Sequence, residues 1–439
     1  MKKPFSSLLS TILPLLSMVL CIVSLTGCTG NDGADTLDLL GTVPADAEAV
    51  GVLQVNTLVD QTGGKIKDGR IEDATSLKDA CEQLYSTVGS INVKYHELFF
   101  SPESGLEASS MIVFSYKGST FLSALVADEA QLKNAVGRIA PGDWEKVGKA
   151  QVNGEFVIRE NRFWTMPNGM IESVERFANL SEVESFRSNA YAETMSKSTD
   201  ALTVWASIEG LMKTSGMAFT QQATARMALG MFFNNPSCVA ISANVEKDLI
   251  KSTARILDAD LKPAKCELAV SKIDTKLVES LGGNANFVFA AGVSQKLVKQ
   301  LLNLASSFGG SLPEPYASAL EPIDGTLTFA ATMVPRDGFS GLGFKGAVQT
   351  SGKNNARLLQ VLEPVVGKVQ VDGNTFRFGN EGYGTGIAPL ADVAKDFNGA
   401  WLGLAGKMNF QDRPPYYMFS MALVPADGSL RLDFKLNLK

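Results

Sequence analysis

The sequence is poor in the groups that carry most enzyme chemistry. It has one histidine, His96, in 439 residues. A Ser-His-Asp triad would have to use that residue, and no Gly-x-Ser-x-Gly elbow supplies a partner nucleophile. Zinc sites need two or more His or Cys ligands at short spacing. None occurs among five cysteines that never form a CxxC. No GxxxxGK[ST] loop is present to cradle a phosphate, and no Asp-x-Asp-x-Asp-Gly loop to hold calcium. The sequence therefore names no catalytic residue, no metal ligand and no cofactor. A basic tract is missing too, and the net charge of −6 disfavours nucleic acid. Beyond the N-terminus there is no second apolar run of 18 or more residues, so no further membrane span is expected.

What is present begins with the first 28 residues. Lys2 and Lys3 precede an uncharged apolar stretch from Leu8 to Leu25, broken by Pro14, and Leu25-Thr26-Gly27-Cys28 follows. A positive start, an apolar run and a small-residue end form an export signal. LTGC resembles the lipobox of bacterial lipoproteins. That resemblance implies cleavage between Gly27 and Cys28, acylation of Cys28, and a membrane as partner. Without residues 1–27, which hold two lysines and no acid, the net charge moves from −6 to −8. Residues 28–42 start small and polar and read as a lipidated flexible tether.

Thr29, rather than Asp, follows the cysteine. By the lipoprotein resemblance this points to the outer membrane, at its periplasmic face or the cell surface. Asp32 and Asp35 resemble the acidic tether of surface-exported Bacteroidota lipoproteins. Asp35-Thr36-Leu37 fits the short O-glycosylation pattern of that phylum and makes Thr36 a candidate acceptor. The mature start, VPADAEAVGVLQVNTLV at 43–59, is similar to a group of exported bacterial lipoproteins of unknown function. Pro44, Asp46, Ala47, Ala49, Val50, Asn56 and Leu58 carry the likeness. It implies an envelope lipoprotein and no reaction.

The chain also repeats itself. VGKAQVNG at 147–154 matches VGKVQVDG at 366–373 in six of eight positions. Each is preceded by a strand, a turn and an amphipathic helix, with Leu132, Ala135 and Val136 in the first and Leu358, Leu359 and Leu362 in the second. Asn153-Gly154 and Asp372-Gly373 read as type I′ hairpin turns. Leu430, Leu432, Phe434 and Leu436 alternate as in a half-buried strand. The expected fold is α+β: two similar, duplicated domains, each an antiparallel β-sheet with helices packed on one face. Their bounds are 43–260 and 281–439, joined by 261–280.

Three further stretches bear on function. GLGFKG at 341–346 has the Gly-x-Gly-x-x-Gly spacing of a dinucleotide loop, but it leads into a strand where a helix should open. SGMAFTQQATARMALGMFFNNP at 215–236 holds Met217, Phe219, Met227, Met231, Phe232 and Phe233. Flexible thioethers and aromatics suit an adaptable apolar contact with a lipid or peptide, and equally a core helix. Cys238 and Cys266 allow one disulfide, or two isolated thiols. The composite expectation is a non-enzymatic, membrane-anchored envelope lipoprotein that binds an unidentified ligand or protein, or serves a structural role. The alternative is a carbohydrate-active hydrolase using a carboxylate pair, with Trp144, Trp164, Trp205 and Trp401 available to stack on sugars.

Overall fold

A computed structural model of the chain describes residues 34–79, 95–167, 170–214, 219–246, 249–307, 313–314, 316–336, 339–380, 388–408 and 417–437. The described residues form two compact α+β units. One comprises residues up to Gly230 together with Asn235–Ala264, and the other Met231–Asn234 with the chain from Lys265 onward. The division thus falls at 264/265, inside the segment expected to join two domains.

The first unit starts with helix α1 (Ala34–Leu40), strand β1 (Ala49–Gln54) and helix α2 (Val55–Gln61). A short hairpin, β2 (Lys65–Lys67) and β3 (Arg70–Asp73), and helix α3 (Tyr95–Phe99) follow. Then come β4 (Leu106–Tyr116), β5 (Ser119–Val126) and helix α4 (Glu129–Ile139). Asp128 caps α4, its side chain accepting from Gln131 N–H at 3.0 Å. The meander β6 (Glu145–Val147), β7 (Ala150–Asn153), β8 (Phe156–Arg159) and β9 (Arg162–Thr165) leads to helices α5 (Ile171–Phe177) and α6 (Ala192–Ser196). Strand β10 (Leu202–Ser207), helices α7 (Ile208–Thr214) and α8 (Phe219–Phe232), and the hairpin β11 (Cys238–Glu246) and β12 (Leu249–Leu257) complete this part of the chain. The sheet is antiparallel throughout, in the order β12-β11-β10-β1-β4-β5-β9-β8-β7-β6.

Its helices cover both faces, which corrects the one-faced cover expected from sequence. Neighbouring residues of one strand enter different cores. Phe156, Ile158 and Phe163 join α2, α3 and α4 residues such as Leu58, Leu98 and Leu132. Val157 and Trp164 join Leu40 of α1, Phe177 of α5 and Met195 of α6. Since alternate side chains of a strand point to opposite faces, these are two layers on one sheet. A sheet buried on both sides reads as continuous apolar runs, and every residue of β1 is buried.

The second unit begins with helix α9 (Thr275–Glu279) and a short strand β13 (Asn284–Ala285). Its large sheet draws on β14 (Phe287–Val293), β15 (Ile323–Arg336), β16 (Phe339–Thr350), β17 (Val369–Asp372) and β18 (Thr375–Gly379). Helices α10 (Gln295–Ser307) and α11 (Tyr316–Leu320) connect β14 to β15, and α12 (Asn355–Val366) connects β16 to β17. After β19 (Ala388–Pro389) and helix α13 (Leu390–Asp396) come β20 (Leu402–Met408), β21 (Tyr417–Ala426) and β22 (Ser429–Asn437). The order is β22-β21-β20-β14-β15-β16-β18-β17, again all antiparallel.

One face of this second sheet is built from small residues. Ala290, Ala330, Ala347, Ala405 and Ala422 pack under α9, α13 and Phe397. A Cβ on Gly403 would lie 2.5 Å from the Phe397 ring, so the glycine is what lets that ring lie on the strand. The hairpin turns also differ from expectation. The turn residues are Gly154-Glu155 and Gly373-Asn374, and only the glycines take positive φ, 59° and 57°. That is the glycine-first pattern of a type II′ turn.

Candidate functional site

Several residues singled out in the sequence are placed plainly. Thr36 cannot carry a glycan in this fold. It is 0% exposed, and its hydroxyl pairs with Ser110 Oγ at 2.7 Å, which in turn donates to Gln54 Oε1 at 2.8 Å. Nor is 28–42 a tether throughout, because Leu39 and Leu40 of α1 are fully buried in the first unit. Gly27, Cys28, Cys81 and Met217 lie outside the described residues. Phe219 opens α8. Met227 and Met231, one helical turn apart, are exposed on it, Phe232 is half-buried, and Phe233 is buried. The aromatic and thioether cluster therefore does not form one face.

Cys238 and Cys266 are both free thiols, and burial pushes each thiol up from its ordinary range. Trp164 is wholly buried and Trp205 packs edge-on against Phe186, so neither offers a ring for a sugar. Gly341 to Gly346 lie within strand β16, paired with β15 from Gly341↔Val334 to Gly346↔Phe329. A strand in mid-sheet cannot wrap a pyrophosphate, so this spacing is not a cofactor loop. No three His, Cys, Asp or Glu side chains among the described residues are placed to share a metal.

Two regions remain. The first is an open cleft of about 630 Å³ in the first unit. Asp35 of α1, Asn56 and Asp60 of α2, Asp68 of the β2–β3 turn and Glu107 of β4 line it, with Arg70. Arg70 is held at 3.4 Å from the Gln131 Oε1 and Ala127 carbonyl oxygens and 3.8 Å from Asp128. Burial pushes the Glu107 carboxyl above its usual range, and the Asp35 charge pushes it further.

The second region is a sheet face, and sequence reasoning missed it. Residues directly opposite in an antiparallel sheet share a face. In the second unit one such row runs Phe434, Met421, Leu404, Phe289, Phe329, Gly346, Phe378 across β22, β21, β20, β14, β15, β16 and β18. The row on one side of it is Leu432, Leu423, Leu402, Ala291, Leu327, Val348, Phe376, and on the other Leu436, Phe419, Gly406, Phe287, Ala331, Phe344. None carries a polar side chain. Phe329 and Phe344 stack at 5.8 Å. A Cβ on Gly346 would fall 2.3 Å from the Phe378 ring, which therefore lies across the glycine.

Cover over this face is uneven. At one end Leu358 of α12 buries Ile323, Val348 and Phe376, with Leu320 of α11 against them. Elsewhere Phe289, Phe329, Leu404, Met421 and Phe434 are only half-buried, and Phe287 is 40% exposed. Apolar side chains left in this state over a wide patch mark an interaction surface more often than a finished core.

No known protein family matches the chain, and no curated protein does. A solved structure described as crystal form III of TP0453 aligns with 81% of this chain and 96% of its own, at 9% identity and a TM-score of 0.27. A score that low carries no argument about fold or role.

Proposed function

We propose that this chain is a lipid-anchored bacterial envelope protein, held at the outer membrane through Cys28, that binds an apolar ligand without transforming it. The uncharged face of the second sheet carries the ligand-binding half of this reading. Three adjacent rows of aromatic and aliphatic side chains suit hydrocarbon and penalise anything that must be hydrogen-bonded. The LTGC stretch supports the anchor, and the VPADAEAV start supports kinship with exported Bacteroidota lipoproteins. The two units are read as copies of one ancestral unit. Equivalent strands follow one another in the same order, β12-β11-β10-β1-β4-β5 in the first and β22-β21-β20-β14-β15-β16 in the second.

Two measurements test it. Cys28→Ala should move the protein from the membrane to the soluble fraction and abolish incorporation of labelled palmitate. A variant that still takes up label ends the anchor reading. For the ligand, an apolar naphthylamine dye should brighten with the wild-type protein. It should do so far less with Leu404→Glu/Met421→Glu, provided circular dichroism shows an intact fold. Equal brightening by that folded variant removes the binding reading.

A second reading rests on the first-unit cleft, where burial and the Asp35 charge raise the Glu107 carboxyl above its usual range. A carboxylate pair of this kind serves glycoside hydrolysis. Release of reducing sugar from envelope polysaccharides, lost in both Glu107→Gln and Asp35→Asn, is its expected result. A wild-type protein that releases none sinks it.

A further inference from the structure

The sheet face of the second unit says more about its ligand than that it is apolar. Strand spacing of about 4.8 Å carries the row from Phe434 to Phe378 across roughly 29 Å. A long hydrocarbon chain fits that span, while an amide or hydroxyl laid on it would lose its hydrogen bonds to water unrepaid. The central side chains are half-buried rather than laid open. A thin chain slips between a sheet and its cover, whereas a partner helix about 10 Å across needs an open groove.

Helix α10 leaves the end of β14, the strand that carries Phe289. It begins just after Val293 of β14 and packs beside β15. Ser294 caps it, its hydroxyl accepting from Leu297 N–H at 3.0 Å. The first turn seats Leu297 and Val298, at 2% and 7% exposure. Leu301 lies one turn on from Leu297 and on the same side of the helix. It belongs to the same apolar stripe, yet it is 42% exposed. Leu301 is thus open although the first turn of the helix is seated.

Charge distinguishes this helix as well. Residues 295–307 read QKLVKQLLNLASS, with Lys296 and Lys299 and no carboxylate. Both lysines are exposed and sit one turn apart near the helix N-terminus, where the backbone dipole adds positive potential. Lysine stems can lie along apolar surface while the ammonium stays in water.

We infer that the second unit binds the hydrocarbon chain of a single-chain anionic amphiphile, a long-chain carboxylate. The chain lies on the row through Leu404, Phe289 and Phe329, and the carboxylate lies at Lys296 and Lys299 of α10. This rests on the apolar-ligand reading above and adds the charge and position of the head group.

The test uses the full chain carrying Cys28→Ala, so that it holds no acyl group of its own, and two probes of equal chain length, palmitate and hexadecanol. Calorimetric titration should show palmitate binding more tightly. Lys296→Glu/Lys299→Glu changes only exposed side chains. It should weaken palmitate about tenfold, the scale of two lost exposed ion pairs and the repulsion replacing them, and leave hexadecanol unchanged. Leu301→Trp should shift its emission to the blue when palmitate saturates the protein. Equal binding of both probes, or palmitate binding that ignores the lysine changes, overturns the head-group assignment and leaves the apolar-ligand reading standing. Failure of both probes to bind overturns the two together.

Discussion

At Gly346 one absent methyl group decides how an aromatic row closes. Its φ is not in the left-handed region, so the constraint is space. The Phe378 ring would stand 2.3 Å from a Cβ there. Gly346→Ala should cost about 1–3 kcal/mol, as overpacking does. In a Phe378→Ala background the same change should cost much less, because the ring contact is gone and only the Thr328 carbonyl oxygen, 3.1 Å away, remains close. Denaturant midpoints of the four proteins check this, and an undiminished cost in the double variant would place the strain elsewhere. Glu107 makes a pH-dependent case. Burial and Asp35 raise its folded pKa above the unfolded value. The folded chain then keeps that proton to higher pH than the unfolded chain does. Its contribution to stability falls as pH rises from the ordinary carboxylate range through the raised folded pKa. Glu107→Gln should therefore melt above wild type at pH 7, with the gap closing toward pH 3. Thermal scans across that range read the difference directly, and a gap constant with pH would deny the group its raised pKa.

Among elements, α1 was the least legible. ADTLDLL follows a polar stretch and looks like the end of a tether, yet Leu39 and Leu40 are fully buried and Asp38 pairs with Arg162 at 2.5 Å. Seven residues are too few for a helical period to declare itself, and partners such as Ser110 and Arg162 lie 74 and 124 residues away. Leu40→Ala should cost about 2–5 kcal/mol in the first unit. A melting point unchanged from wild type would return α1 to the tether. Elements with local signals read well. The spacing of Leu132, Ala135 and Val136 marks α4, all three buried as expected. Alternation marks β22, and glycine marks the turns, although each hairpin turn sits one residue later than Asn-Gly and Asp-Gly suggested. Alternation alone misled about cover. A strand with polar residues on one face looks half-solvated, but small polar side chains such as Ser110 and Thr328 are buried beneath helices all the same.

On the scale of the molecule, the candidate site could not be read along the chain. Phe289, Phe329, Leu404, Met421 and Phe434 are ordinary strand residues in sequence, and only pairing between distant strands gathers them on one face. The α+β character of each unit was legible because helix periodicity and glycine turns such as Gly154 and Gly373 are local signals. Each unit also owns its hydrophobic clusters: Phe177 lies in one of the first unit and Phe397 in one of the second, with no residue in common. Both rings are fully buried. Phe177→Ala and Phe397→Ala should each cost about 3–5 kcal/mol. Trp144, Trp164 and Trp205 report on the first unit and Trp401 on the second, so replacing one or the other set by Phe lets fluorescence follow each unit in turn. The loss from Phe177→Ala should appear in the signal of Trp144, Trp164 and Trp205, and that from Phe397→Ala in the signal of Trp401. For separate cores the double variant should sum the two losses within about 0.5 kcal/mol. A sum that falls short by several times that margin would mean that the two clusters unfold as one, and the chain would then have to be treated as a single cooperative body.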